Sequence, residues 1–221
     1  DPHPLMAAYY DYRYGRAFSR DDVREAVIPA YMGLITQIDD QIGRLMSYLK
    51  ESGQINDTMI VFTSDHGYHL GDHFLWGKVT LFDIGAKVPL VIRAPGITTG
   101  GTTSEAMVEL IDLYPTLADL TGLRPPGHLQ GASLRPLLAH PERLGKKKHA
   151  YSVVSRGNKL GYSLRNQRWR YARWPDGEEL YNLNIDPSEK NNLAGGNRHE
   201  DRMKEFRTLL IERQQQAKSS R

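Results

Sequence analysis

Residues 58–78 read TMIVFTSDHGYHLGDHFLWGK. The first part, Met59–Thr63, is rich in branched and aromatic side chains, which is typical of a buried strand. Asp65, His66 and Gly67 follow closely, so a carboxylate and an imidazole stand just past the carboxyl end of that strand. Open α/β sheets bind their ligands at this edge. The stretch therefore predicts an α/β fold and also the place of its functional site.

Asp65 and His66 are the first candidates for holding a metal ion. In a loop, adjacent side chains can converge on one cation; carboxylates suit Mg, Ca and Mn, whereas imidazole favours transition metals. Two ligands do not hold a metal, so we expect the others from elsewhere in the protein or from the substrate. Lys78 is either a group that neutralises an oxyanion or a surface lysine after a glycine turn. A divalent metal with a lysine favours hydrolysis of a charged ester, because such a site stabilises developing negative charge.

His69 and His73 are four residues apart, which on a helix would match half of a zinc-protease motif. That motif requires a glutamate after its first histidine, and Leu70 stands there. A zinc site is therefore disfavoured.

The pattern on both sides of this stretch alternates between helix and strand. Apolar residues from Tyr31 to Leu49 recur at helical spacing, which predicts a helix with one stripe against the core, broken or restarted at Pro29. Lys87–Arg93 and Met107–Ile111 are predicted strands, and a helix is predicted from Asp112 to Leu120. This alternation is typical of an α/β layer fold.

The chain changes character between residues 125 and 150, where it becomes rich in loops. A hairpin signal at Asp176-Gly177 and a charged helix from Asn197 to Gln216 then predict a small antiparallel sheet closed by a helix. The predicted strands of this sheet are Ala150–Ser155, Tyr162–Arg165, Trp169–Trp174 and Glu179–Leu183.

Composition narrows the function classes. The chain has 221 residues, 39% hydrophobic and 25% charged, and a net charge of +3, which indicates an ordinary globular protein and neither nucleic-acid nor membrane binding. The absence of cysteine excludes a thiol nucleophile and thiolate metal sites, and it fits a reducing compartment, so a cytoplasmic location is favoured over a periplasmic one. No apolar run reaches the length of a transmembrane helix. The first residues contain neither a signal peptide nor an initiating Met, so we expect the chain to be part of a longer protein.

Several segments together resemble, in order, the landmarks of the sulfatases of the alkaline phosphatase superfamily, which include arylsulfatases and the related phosphonate monoester hydrolases. These segments are S-D-H-G with L-G-D-H and the following lysine, AYMGLITQIDDQIGRL, VPLVIRAPG, IDLYPTLADLTGL and ELYNLNIDPSEKNNLA. The resemblance covers nearly the whole chain and implies the C-terminal half of such an enzyme. Residues 1–145 would belong to the α/β catalytic domain, a mixed sheet flanked by helices. Residues 146–221 would form the small antiparallel sheet and the terminal helix.

The resemblance also implies roles for the residues of the loop. Asp65 and His66 would be ligands of one divalent cation, Ca²⁺ in first place and Mn²⁺ or Mg²⁺ as alternatives. Lys78 would contact the sulfate or phosphate oxygens, and His73 would support the ligands from behind. His69 lies where the family varies and receives no role. The family's nucleophile, a formylglycine in a C/S-x-P-x-R motif, has no counterpart in this sequence, so no catalytic residue is assigned and the chain alone is expected to be inactive.

These observations lead to hypotheses from different classes. The leading one is metal-dependent hydrolysis of small-molecule or glycan sulfate esters by the complete protein. Hydrolysis of phosphonate or phosphate monoesters or diesters is the alternative, favoured by the Asp72-His73 pair and by HPLMAAYY at residues 3–10. A non-catalytic module that binds a sulfated or phosphorylated ligand is the second class. A binder of acidic polymers, through Lys146–Lys148 and the Arg and Lys residues of the last helix, is the third. The small net charge disfavours it, and the basic run itself is predicted to be a solvated turn. The expected protein partner is the missing N-terminal half of the same protein, and a homo-oligomer remains open.

Overall fold

A computed structural model describes residues 20–219 of the chain. Residues 1–19, with the HPLMAAYY segment, lie outside this described part. The helices are α1 Asp21–Glu51, α2 Asp83–Ala86, α3 Leu113–Leu120, α4 Arg135–Ala139 and α5 Glu200–Ser219. The strands are β1 Ile60–Thr63, β2 His69–Leu70, β3 Trp76–Gly77, β4 Leu90–Arg93, β5 Ala150–Arg156, β6 Lys159–Arg165, β7 Trp169–Trp174 and β8 Gly177–Asn182. None of the helices in this range has the length and apolar character that a membrane crossing requires.

Helix α1 is continuous, so the predicted break at Pro29 is wrong. A proline removes one backbone hydrogen bond, and the long run of helix formers after it outweighs that loss. The apolar stripe of α1 was predicted to pack against the core, but within residues 20–219 it stays largely open, with Leu34 and Ile38 each 57% exposed. Tyr31 stacks on Tyr68 with ring centroids 5.2 Å apart, which links the helix to the loop after β1.

Strands β1 and β4 pair antiparallel, with Thr63 opposite Leu90. Both strands were predicted, with slightly longer bounds. In the described part of the chain the strands pair only in antiparallel fashion, so it contains no mixed sheet of its own.

The strand predicted at Met107–Ile111 is wrong. Met107 makes only an isolated bridge, and a 3₁₀ helix begins at Leu110. The cause is a capping box, in which the side chains of Glu109 and Asp112 each accept a backbone N–H and turn the chain. Asp112 therefore lies inside this turn, before α3.

The basic run at residues 146–148 was predicted to be a solvated turn, and Lys147 departs from that prediction. Its ammonium group donates to Glu109 and lies 2.7 Å from Asp112 Oδ1, with the Lys147 side chain 19% exposed. The central charge of the run is therefore neutralised inside the protein. The acidic-polymer hypothesis therefore loses one of the three charges of its basic run.

The C-terminal sheet is a four-stranded antiparallel meander in the order β5-β6-β7-β8, as predicted. Because side chains alternate along each strand, its two faces carry different apolar clusters. The loop-side cluster packs the sheet against residues on both sides of β3 and consists of Leu75, Leu81, Phe82, Ala172, Trp174, Tyr181 and Leu183. The helix-side cluster packs the sheet against α5 and consists of Leu164, Trp169, Tyr171, Leu180, Met203, Phe206 and Leu210. The loop-side cluster joins residues from both sides of the predicted boundary at residues 145 and 146, which itself stays a prediction.

Candidate metal centre

Asp65 and His66 lie directly after β1, at a fixed strand end. The Thr63 hydroxyl donates to the Pro89 carbonyl at 2.8 Å, which fastens the last residue of β1 to the segment before β4. The Ser64 hydroxyl donates to the His66 carbonyl at 2.8 Å and closes a tight turn. The two candidate ligands are therefore held by backbone contacts next to a paired strand.

The side chains of Asp65 and His66 converge. The His66 backbone N–H donates to Asp65 Oδ1 at 3.1 Å, and the other carboxylate oxygen lies 3.4 Å from His66 Nε2. His66 Nδ1 lies 2.9 Å from the Gly67 carbonyl oxygen, which can only accept, so Nδ1 carries the proton and donates. In the neutral ring Nε2 then keeps its lone pair. Metal-binding histidines use this arrangement, with one nitrogen donating to a carbonyl and the other facing the ion.

Gly67 is required by close packing behind the pair. Its N–H donates to the Gly85 carbonyl in α2 at 3.0 Å. A Cβ atom at Gly67 would lie 1.9 Å from the Ile84 carbonyl oxygen, so no side chain fits without moving backbone. The loop that carries Asp65 and His66 is thus docked on α2.

The pair is accessible from outside. The Asp65 side chain is 84% exposed and that of His66 33% exposed. Both residues line a large open cleft, together with residues from α2, β4 and β5. A ligand of considerable size could therefore reach the two donors.

Lys78 is brought back towards the pair by a short hairpin. β2 and β3 pair antiparallel with His69 opposite Gly77, so the chain at Lys78 returns to the level of Tyr68. Lys78 is exposed and is flanked by two positive-φ residues, Gly77 (φ 98°) and Val79 (φ 72°). A left-handed valine is a strained conformation of the kind that collects at functional sites. Val79, and not Lys78, lines the cleft with Asp65.

His69 is a structural residue. It is fully buried, its Nδ1–H donates to the Asp72 carbonyl at 3.1 Å, and its Nε2 accepts from the Thr80 hydroxyl at 2.7 Å. Burial lowers the pKa of His69 to about 4, so the ring is neutral at pH 7. Both nitrogens are occupied by protein partners, which leaves none for a zinc ion and agrees with the absence of a chemical role.

His73 packs behind the loop. Its backbone is left-handed, with φ 56°, and its ring stacks on Phe82 with centroids 3.9 Å apart and planes 12° apart. Burial, followed by the nearby charge of Arg170, lowers the pKa of His73. This position of His73 is compatible with the predicted role of supporting Asp65 and His66 from behind. That role stays a prediction.

Residues 20–219 supply two converging donors for a cation and no cluster of three or more His, Asp or Glu side chains that could hold one. The donor chemistry of Asp65 and His66 fits a divalent cation, because a carboxylate and a neutral imidazole with a free lone pair are ordinary ligands. The remaining ligands would come from other parts of the protein or from the substrate, as the sequence predicted.

The residues that hold the loop from below were not predicted from the sequence. Thr80 and Gly85 contact it directly. Glu189, after the last strand of the C-terminal sheet, supports α2, and Arg170 of β7 supports Phe82. Glu189 is the second glutamate of ELYNLNIDPSEKNNLA, one of the segments that resemble the family. The resemblance marks the segment but does not indicate a role for this glutamate. Only long-range contacts reveal what that residue does.

Comparison with known proteins places the chain in a family. The family model described as Sulfatase matches residues 1–123, and a second, described as N-sulphoglucosamine sulphohydrolase, C-terminal, matches residues 71–216. The N-acetylglucosamine-6-O-sulfatase of Bacteroides thetaiotaomicron is 33% identical over 200 residues, which cover 86% of this chain and 36% of that protein.

Two solved structures share the fold closely. The structure of BT4656 in complex with its substrate D-glucosamine-2-N,6-O-disulfate matches with a TM-score of 0.85 at 30% identity, over 96% of this chain and 47% of that one. The phosphonate monoester hydrolase SpPMH from Silicibacter pomeroyi matches with a TM-score of 0.82 at 31% identity, over 89% of this chain and 42% of that one. These matches confirm the predicted fold class, and the chain spans less than half of the length of each of these proteins. The chain belongs to the sulfatase family of the alkaline phosphatase superfamily.

Proposed function

We propose that this chain provides the cation-binding and sulfate-binding side of an active site that hydrolyses sulfate esters in the whole protein. The observation that carries the proposal is the convergence of Asp65 and His66, whose Oδ2 and Nε2 atoms are 3.4 Å apart on the wall of an open cleft. The sulfatases among the relatives support the same activity.

Asp65 and His66 would hold the divalent cation, with Ca²⁺ the first candidate and Mn²⁺ or Mg²⁺ the alternatives. When bound, the cation would supply positive charge for the oxygens of the ester group. The Gly67 carbonyl keeps the proton of His66 on Nδ1, so that Nε2 is free to act as a ligand. Lys78 would bind the sulfate oxygens and stabilise the negative charge that develops on them. The nucleophile would be a formylglycine in a part of the protein outside this sequence.

A sulfated sugar is the substrate class to test first. The relative from Bacteroides thetaiotaomicron acts on N-acetylglucosamine 6-O-sulfate groups by its name, and BT4656 binds a disulfated glucosamine. The open cleft beside Asp65 and His66 has room for a sugar. Phosphonate monoesters are the second candidate, because SpPMH resembles this chain nearly as closely.

The test uses the whole protein and three single variants. Asp65→Ala removes a ligand and should abolish turnover of an aryl sulfate and of glucosamine 6-sulfate. Lys78→Ala should lower kcat/KM by about 10²–10³-fold, the usual loss of one stabilising donor. Asp57→Ala removes an exposed carboxylate outside the loop and should leave turnover unchanged.

Removal of the cation with EDTA should stop the reaction, and re-addition of Ca²⁺ or Mn²⁺ should identify the metal. Full activity of Asp65→Ala would contradict the assignment of the site. Turnover of a phosphonate monoester with no turnover of sulfate esters would select the second candidate. Binding of sulfated sugars without turnover of either class would select the non-catalytic module.

A further inference from the structure

A buried ion cluster lies in the C-terminal sheet under the candidate site. Arg170 in β7 is 1% exposed and donates through Nε to Glu189, and its Nη2 lies 3.2 Å from Glu179 Oε2. The guanidinium lies between two rings, 4.9 Å from the Phe82 centroid and 4.7 Å from the Tyr181 centroid. Burial of charged groups costs desolvation free energy that pairing repays only in part, so the cluster is weak evidence of a contribution to stability. A role for the cluster is better sought in the elements that its contacts hold in place.

Glu189 connects the cluster to α2. One carboxylate oxygen accepts from Arg170, and the other accepts the backbone N–H of Asp83 at 2.7 Å. Glu189 is 3% exposed and adopts φ 54°, a left-handed conformation that is uncommon for a residue other than glycine. The side chain of Asp83 is also held by the sheet, through Arg165 Nη2 at 3.1 Å. The first residue of α2 is thus fixed by its backbone and by its side chain.

Helix α2 in turn holds the loop that carries the candidate ligands. The Gly85 carbonyl accepts the Gly67 N–H at 3.0 Å, and the Gly67 carbonyl accepts from His66 Nδ1 at 2.9 Å. A continuous path of hydrogen bonds and backbone therefore runs from Arg170 through Glu189 and α2 to the His66 ring.

A second path runs through ring packing. Phe82 precedes α2 and is 2% exposed, with the Arg170 guanidinium 4.9 Å from its ring centroid. It also stacks on His73 at 3.9 Å. The turn between β2 and β3, through His73, therefore packs on Phe82, the residue directly before α2, which in turn contacts Arg170.

We propose that Glu189, oriented by Arg170, is a positioning residue for the Asp65–His66 pair. By fixing α2 it sets where Gly67 docks and hence how the His66 ring is oriented. That Asp65 and His66 bind a cation is taken from the proposed function. The coupling of Glu189 to residues 65–86 does not depend on which ester is cleaved.

The test compares Glu189→Gln with Glu178→Gln in the whole protein. The amide of Glu189→Gln keeps the shape of the side chain but leaves one of its two donors without an acceptor. Glu178, in β8, is the control, because it is also a carboxylate paired with an arginine. It accepts from Arg207 Nη2 at 2.6 Å and from the Tyr171 hydroxyl at 2.5 Å, away from α2. Both variants lose a carboxylate charge that is paired with an arginine.

Hydrogen–deuterium exchange followed by mass spectrometry is the first readout. Glu189→Gln should exchange at least tenfold faster in peptides covering residues 65–86, whereas Glu178→Gln should leave these peptides unchanged. Affinity for Ca²⁺ alone, with Mn²⁺ in a parallel series, is the second readout and should fall about 10–100-fold in Glu189→Gln, the usual effect of losing a partner that orients a ligand. Glu189→Asp retains the charge but not the reach, and it should reproduce both effects if Glu189→Gln does not fold.

Unchanged exchange at residues 65–86 in a folded Glu189 variant would overturn the proposal, as would an equal increase in Glu178→Gln. The positioning role of Glu189 and the proposed function can each be refuted without refuting the other. Loosening of the loop in a protein that cleaves no sulfate ester would refute the proposed function and support the positioning role. Cleavage of sulfate esters by the wild-type protein, together with unchanged exchange at residues 65–86 in Glu189→Gln, would support the proposed function and refute the positioning role.

Discussion

Acid should destabilise this fold through His69, and the size of the effect follows from the structure. The pKa of His69 is lowered from 6.5 to about 4, because the ring is buried. Since the folded form binds the proton less tightly than the unfolded chain, the stabilisation is complete above pH 6.5 and is lost as the pH falls towards 4. One unit of pKa shift corresponds to about 1.4 kcal/mol, so lowering the pH from 7 to 5 should cost about 2 kcal/mol from this residue alone.

The assay is urea unfolding of the whole protein at pH 7 and pH 5, monitored by tryptophan fluorescence, in wild type and in His69→Gln. His69→Gln is less stable at pH 7, but it should lose about 2 kcal/mol less between the two pH values. The half-buried His73 and His149, whose pKa values are also lowered, are present in both proteins, so their contributions largely cancel in this comparison. His128→Gln, which removes an exposed imidazole, should keep the wild-type dependence. An equal pH dependence in wild type and His69→Gln would refute the reasoning.

Three further substitutions test the packing around the site by denaturant unfolding. Gly67→Ala places a Cβ against backbone and should cost about 1–3 kcal/mol or more, whereas Gly127→Ala, with open space around its Cβ, should cost little. Thr80→Val leaves the buried Nε2 of His69 without a donor and should cost about 1–3 kcal/mol. Lys147→Met removes the ammonium group that the buried Glu109 and Asp112 share, leaving Glu109 only the more distant Arg213 at 4.0 Å, and should cost about 3–5 kcal/mol. Lys146→Met at an exposed position should stay within about 0.5 kcal/mol. Equal effects in Gly67→Ala and Gly127→Ala, or in Lys147→Met and Lys146→Met, would contradict the corresponding contact, as would an unchanged stability of Thr80→Val.

The sequence predicted local elements well because each depends on residues close together in the chain. Helix Leu113–Leu120 and strands Trp169–Trp174 and Ile60–Thr63 were predicted to within one or two residues. Their apolar spacing and their turn residues are both local signals. The Asp65–His66 pair was likewise visible, because its two members are adjacent in the sequence.

The errors share a different physical origin. The pattern at Met107–Ile111 resembled a strand, but side chains of that segment bind backbone N–H groups and Lys147, and these contacts decide its conformation. Lys147 resembled a solvated lysine because its two acidic partners precede it by more than thirty residues. Glu189 lies 106 residues from Asp83, whose N–H it accepts. Such partners cannot be read from composition or periodicity.

The two-faced C-terminal sheet has a consequence for how this protein can change by mutation. The helix-side cluster is formed by strands β6 to β8 and by α5, and none of its residues comes from the hairpin segment 66–78. The sheet therefore has a core of its own that does not require any particular loop on the opposite face. Within residues 68–78 the buried His69 and Leu75 belong to the packing, whereas Tyr68 and Phe74 are exposed. Mutation of such exposed positions can change the surface beside the Asp65–His66 pair while the platform beneath it stays folded.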